Sequence, residues 1–331
     1  MKKCIFLFVL VWSHGLAPAQ RLEAAGRKLL EQKEDSLQQF AKKIIQGRNI
    51  SDRFTADSLF TRALMRALVV RYSFQYPFDS LATVSIQYPP DSSFRIFTWQ
   101  LELSDNMVRH HGVIQMNTPD GLLRRFPLID KTVVTNNIHD TIANHMGWMG
   151  AIYYRIIQNR YNNRNYYTLL GFDANNIRSD RKIIEVLTFP NNEPVFGGPY
   201  FRFESDAPQF KHPVSRYIME YKKDAGPRLT YDPEQDLIVF EHLISESGEP
   251  NKKWTLVGDG DYEGFKWQNG AWTHIPKIYN YVTPLGQEPV PKPIRDNGGN
   301  MMDNKLDNDN APATDTKPEP AKKPKKGGEE D

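Results

Sequence analysis

The chain has 331 residues, 39% hydrophobic, 25% charged and 12% aromatic, enough length to bury a substantial core without disulfides. Its formal net charge is only +2, which supplies no basic face for nucleic acid. Beyond the N-terminal segment no stretch is apolar over the roughly 20 residues a membrane-spanning helix needs.

Residues 1–19 read as a secretory signal peptide. Lys2 and Lys3 form a positive start, Ile5 to Trp12 a short apolar run, and Ala17-Pro18-Ala19 a small-residue cleavage site before Gln20. The single cysteine, Cys4, precedes the apolar run, so it is not placed to carry a lipid anchor and is expected to leave with the signal. The mature chain is then expected to lack disulfides, thiolate chemistry and cysteine-bound metal. A large exported chain of this kind fits a bacterial envelope, with the periplasm as the expected location.

Residues 20–82 are expected to be helical. Leu22, Ala25, Leu29, Leu30, Leu37, Phe40, Ala41, Ile44 and Ile45 recur at helical spacing, with Gly47 as the stop. A second helix, starting after Ser51 or Asp52, carries Phe54, Leu59, Phe60, Ala63, Leu64, Ala67 and Leu68. Two amphipathic helices in series suit the covering of one side of a sheet.

From Thr83 the apolar period changes to two, and residues 83–283 are expected to form a β-rich domain. Arg95–Leu103 alternates, Ser104-Asp105-Asn106 turns, and Arg109–Met116 returns. Further runs at Ile152–Gln158, Tyr166–Phe172, Lys182–Phe189, Tyr217–Lys222, Arg228–Tyr231 and Leu237–Leu243 are separated by Asn-, Asp-, Gly- and Pro-rich turns. Asn269-Gly270, between aromatic arms, is the strongest hairpin signal. The fold class is therefore α+β, mainly β: two N-terminal helices followed by an antiparallel meander sheet or β-sandwich. Residues 284–331, rich in Pro, Lys and Asp, are expected to be a disordered tail.

No segment assigns a catalytic residue, a metal or a cofactor. His110-His111 would point to opposite faces of a strand, and His139 and His145 lack the glutamate and spacing of a zinc-protease helix. Asp259-Gly260-Asp261-Tyr262-Glu263 resembles a calcium loop, but Gly270 stands at the twelfth position, where the loop needs a glutamate; it reads as a turn before the hairpin. Glu102, Asp173, Glu185, Glu220 and Glu241 could serve glycoside hydrolysis, which needs two carboxyls across a cleft; alternation places Glu185 and Glu220 on a solvent face. No phosphate loop, nucleophile elbow or dinucleotide glycine pattern is present. Trp99, Trp267 and Trp272 remain as an aromatic platform for a sugar or peptide, with core packing as the competing reading.

The stretches Phe94–Trp99, Tyr166–Asp173 and Arg181–Phe189 resemble a group of uncharacterised exported β-rich proteins of the Bacteroidetes. The resemblance implies export and a β-rich fold and transfers no functional residue. The expected function is that of a non-catalytic binding or scaffold protein of the bacterial envelope, with an envelope protein or polysaccharide as partner. The alternative is a glycan-active hydrolase or lyase working through Asp and Glu carboxylates.

Overall fold

The computed structural model describes residues 21–104, 107–203 and 213–279. The expected signal peptide, the expected turn at Asp105-Asn106 and the expected tail after residue 283 lie outside them. The described residues belong to the compact unit that ends at Tyr279.

Helices α1 (Ala24–Gln46) and α2 (Ile50–Leu68) form the expected pair. α1 ends at Gly47, and the Asn49 side chain caps α2 by accepting from the Asp52 N–H at 2.8 Å, one of the donors a helix start leaves unpaired. Leu30, Leu37, Ala41 and Ile44 pack with Phe60, Leu64 and Leu68, and this apolar seam lies on Phe97, Trp99, Leu101 and Val113 of the first sheet. No described helix is long and apolar enough to cross a membrane.

The strands fall into three sheets. The first is a meander of β1 (Ser85–Gln87), β2 (Phe94–Ser104), β3 (Met107–Met116) and β4 (Arg125–Ile129). The second contains β5 (Ala143–Asn144), β6 (Ile152–Tyr161), β7 (Arg164–Asp173), β8 (Ser179–Thr188) and β9 (Val195–Phe196) in the order β5-β9-β8-β7-β6, and β11 (Arg216–Lys222) pairs antiparallel with the first part of β8. The third is ordered β10-β15-β14-β13-β12, from β10 (Phe201–Arg202), β12 (Leu229–Asp232), β13 (Leu237–Ser245), β14 (Leu256–Gln268) and β15 (Ala271–Ile275). Pairing is antiparallel throughout these strands except between β10 and β15.

Side-chain alternation converts this order into layers. Phe94, Ile96 and Ile114 turn from the helices toward Tyr153, Tyr167, Leu169, Ile183 and Leu187 of the second sheet. Leu170, Ile184 and Val186, on that sheet's other face, meet Ile238, Phe240, Phe265 and Trp272 of the third. The molecule is thus a helical layer followed by three sheets, with a core at each of the three contacts. The α+β, mainly β class holds, and the sandwich has one sheet more than the usual two layers. At the Asn269-Gly270 hairpin both residues have positive φ, 50° and 78°, as the tight turn requires.

Two expectations fail for identifiable reasons. Glu185 does not face solvent; it is 0% exposed, because both faces of the second sheet are covered and alternation no longer separates wet from dry. The segment Asp259–Glu263 is not a turn before the hairpin but part of the long strand β14.

Candidate ligand-binding clefts

The aromatic platform read from the sequence is corrected first. Trp99 is 3% exposed and Trp272 0%. Trp99 donates through Nε1 to Asp57 Oδ1 at 2.8 Å and meets Phe60 edge-on, with centroids 5.0 Å apart; Trp272 donates to Thr168 Oγ1 at 2.8 Å. Their faces and N–H groups are spent inside two different cores, so they offer nothing to a ligand. Trp267 is half-buried, 5.3 Å from Trp272 and 5.4 Å from Tyr166.

The histidines separate as strand geometry dictates. His111 stacks on Trp99 at 5.8 Å, where burial pushes its pKa down although Asp57 opposes the shift. His110 points to the other face, with Nδ1 3.4 Å from Asp130 and Nε2 3.6 Å from Asp173. Burial would raise the Asp130 carboxyl, but hydrogen bonds from His110 and Thr132 outweigh it and hold the group well below the usual carboxylate range. At Asp173 burial wins and the pKa rises, against the pull of His110, the Asn175 N–H and Arg181. His110, Asp130 and Asp173 are all buried, so this set clamps the first sheet to the second and is closed to solutes. Gly150 permits it: a Cβ there would lie 2.5 Å from Asp130 Oδ2 and 2.6 Å from His110 Nδ1. His145 engages the Pro127 carbonyl at 2.8 Å.

The remaining carboxylate candidates are not gathered into one acid–base pair. Glu102 is exposed, 3.6 Å from Arg53. Glu220 accepts from Arg181 Nε at 2.8 Å and from Ser179 at 2.7 Å. Glu241 accepts from the Arg228 N–H at 3.0 Å. Glu185 is held by Arg216, whose Nε and Nη2 both lie 3.2 Å from Oε2, and by the Tyr153 hydroxyl, which itself receives the Trp148 N–H at 2.7 Å.

That buried ion pair shapes two concavities. Arg216 Nη1 donates to the carbonyls of Ile138 and, at 2.9 Å, Thr141, while the Ser215 and Arg216 N–H groups donate to the His139 carbonyl. The irregular segment 138–142 is therefore fixed from below. Ile142 lines one cleft, and Ile138 and His139 line another.

The first cleft, about 710 Å³, is lined by Tyr166, Phe189 and Tyr200 together with Arg164, Asn165, Thr188 and Asn191. Tyr166 meets Tyr200 edge-on at 5.6 Å and leans on Trp267. Tyr166, Phe189 and Tyr200 are half-buried. Gly198, at φ 145°, lets the Tyr200 ring close on the backbone; a Cβ there would lie 2.3 Å from it.

The second cleft, about 510 Å³, lies between β11 and strands β13 to β15. Opposite Glu241–Leu243 the register of β14 jumps from Tyr262 to Gly258, an extended bulge of the kind that re-aims side chains. It brings Asp259 to His242 Nδ1 at 2.8 Å. Glu263, four residues on, receives His274 Nε2 at 2.6 Å and lies 3.8 Å from His242 Nε2. Hydrogen bonding from His242 holds the Asp259 carboxyl below its ordinary value, although burial acts the other way. The segment that resembled a calcium loop in sequence thus supplies two carboxylates to two histidines from other strands. No sequence spacing announces this, because the four residues meet only through strand pairing.

No known protein family, no characterised protein and no solved structure matches this chain.

Proposed function

We propose that the chain is an exported, non-catalytic binding protein of a bacterial envelope, related to the Bacteroidetes group it resembles, and that the aromatic cleft holds a glycan. The carrying observation is that Tyr166, Phe189 and Tyr200 face one concavity that also presents Arg164, Asn165 and Asn191. Aromatic faces match the apolar faces of a sugar ring, and the amides and guanidinium match its hydroxyls, the usual composition of a small-molecule site. The platform anticipated at tryptophans is supplied by tyrosines, with Trp267 behind Tyr166.

The apolar run and Ala17-Pro18-Ala19 motif of the first 19 residues support export, and a periplasmic location follows as part of the same proposal. Mass spectrometry of the protein from a native envelope fraction is expected to find a chain beginning at Gln20; an intact Met1 would count against it. The binding reading is tested by titrating envelope polysaccharide fragments into the full chain by NMR. Tyr200→Ala is expected to weaken binding by about tenfold, the scale of one lost aromatic contact, with the melting temperature little changed. Binding unaffected by Tyr200→Ala would overturn this site, and release of new reducing ends would favour the glycan-active alternative.

A further inference from the structure

The second cleft has a charge problem that its described residues leave unsolved. Three glutamates, Glu220, Glu241 and Glu263, line it against one lysine, Lys253. Glu220 is neutralised by Arg181, Glu241 is held by the Arg228 N–H, and Lys253 is exposed to solvent. Glu263 is different. It is only 18% exposed, and its polar side-chain partners among the described residues are two imidazoles.

Only one of those imidazoles donates to it when both are neutral. An ionised carboxylate only accepts hydrogen bonds, so the 2.8 Å contact with Asp259 places the His242 proton on Nδ1. His242 Nε2 is then a bare acceptor, 3.8 Å from Glu263 Oε1, which is an acceptor too. Two acceptors face the cleft with no donor between them among the described residues. Phe203 and Tyr217 form aromatic walls of the same cleft, and ring faces attract cations. Burial, and after it the nearby Glu263 charge, pushes the Tyr217 hydroxyl up.

We propose that this cleft is a second binding site, separate from the aromatic one, which takes an organic ammonium group of the kind carried by a polyamine or a lysine side chain. An ammonium has three donors and can give one to His242 Nε2 and one to Glu263 Oε1 while its charge lies against the rings. A guanidinium is planar and wider, and a neutral solute brings no charge.

The same geometry makes the site sensitive to acid. Protonated His242 carries an N–H on Nε2 and would donate to Glu263 itself, occupying the place of the ligand. Protonated His274 adds a second positive charge 2.6 Å from the same carboxylate. Among the described residues, the other ionisable groups around them are Asp259 on β14, Glu241 on β13, Tyr217 and Glu220 on β11, His139 in the segment before β5, and Lys253 before β14. Protonating any of the carboxylates, like protonating His139, also moves the cleft toward positive charge, so every titration in acid acts against a cation.

The test is calorimetric titration of the full chain with spermidine, with an N-acetylated, C-amidated trilysine peptide, and with a neutral polyol of similar size. At about pH 8 the expected result is saturable binding of one or both amines and none of the polyol, and in acid, at about pH 5, at least about tenfold weaker binding. Preference for the peptide identifies a lysine-bearing partner, and preference for spermidine a free solute; both support the site. Glu263→Gln is expected to weaken amine binding by about tenfold or more, the order of a lost charge-assisted contact, while Tyr200→Ala leaves it unchanged. No amine binding at about 10 mM, which corresponds to negligible affinity, would overturn the proposal. So would equal affinity at the two pH values, equal binding by Glu263→Gln, or saturation by the neutral polyol. Should Glu263→Gln fail to fold, the pH comparison on the unmodified chain decides. Loss of amine binding in Tyr200→Ala would overturn the separation of the two sites and leave the glycan reading to its own experiment.

Discussion

Replacing Arg216 with methionine tests whether one buried ion pair holds both clefts in shape. Arg216 and Glu185 are each 0% exposed. The substitution keeps much of the aliphatic stem but removes the guanidinium contacts to Glu185 at 3.2 Å and to the Ile138 and Thr141 carbonyls. Stranding one member of a buried pair costs about 3–5 kcal/mol, and each buried carbonyl that loses its donor adds about 1 kcal/mol or more unless water replaces it. We expect a loss of about 4–6 kcal/mol in urea unfolding, and for a chain of this size a fall in melting temperature of about 10–20 °C. The double variant Arg216→Met/Glu185→Leu should recover roughly half of the loss, since an apolar pair of similar volume avoids the stranded charge but leaves the 138–141 carbonyls without their donor. Ligand binding should weaken in both clefts even where the fold survives, since Ile138, His139 and Ile142 line them. A loss below about 1 kcal/mol, the scale of a surface pair, or a double variant no more stable than the single one, would refute this reasoning.

The two aspartates beside His110 should respond differently to neutralisation. Asp130 is held below its ordinary value, so its contribution is present above the unfolded carboxylate value, about 4, and is lost as pH falls through the folded one. Asp130→Asn should therefore cost about 2 kcal/mol at neutral pH, and the difference from the parent should close in acid, as thermal melts at a series of pH values will read. Asp173 is raised by burial; its charged form weighs against the folded state as pH rises through the folded value, so Asp173→Asn should stay within about 1 kcal/mol of the parent at neutral pH. Gly150→Ala should destabilise by about 1–3 kcal/mol, because its Cβ would meet Asp130 and His110 at 2.5 and 2.6 Å. Trp272→Ala should cost about 3–5 kcal/mol without singling out either ligand, which separates core packing from recognition in the same binding assays.

The sequence was most legible where one face of an element is covered and the other wet. The helices followed from apolar spacing, and Asn269-Gly270 located its hairpin because only the turn's backbone conformation was at stake. The middle sheet was harder. In Ile183-Ile184-Glu185-Val186-Leu187 the residues on both sides of Glu185 are buried, so alternation no longer said which residues were wet. A carboxylate inside such a continuous apolar run was itself the available signal: a strand covered on both faces must pair any charge it contains. Its partner, Arg216, lies 31 residues away, beyond the reach of any local pattern. The short strands β5, β9 and β10, each of two residues, exist only through their neighbours and carry no periodicity of their own.

The candidate sites escaped motif reading for a related reason. In a stack of sheets the middles of strands are taken up by the cores, so chemically active side chains collect where a strand runs past its packing partner or where register breaks. β14 illustrates both. Its Phe265 is 0% exposed and closes the third core, whereas the same strand presents Asp259, inside the register jump between Gly258 and Tyr262, and Glu263, beside it, to histidines on β13 and β15. The aromatic cleft likewise forms where Tyr166, at the entry to β7, and Tyr200, just before β10, leave the packed interior. Segment 138–142 borders both clefts and is pinned by Arg216. A ligand that shifts it from one side must therefore change the other, and any such coupling has to be reciprocal: the factor by which a glycan alters amine affinity must equal the factor by which the amine alters glycan affinity.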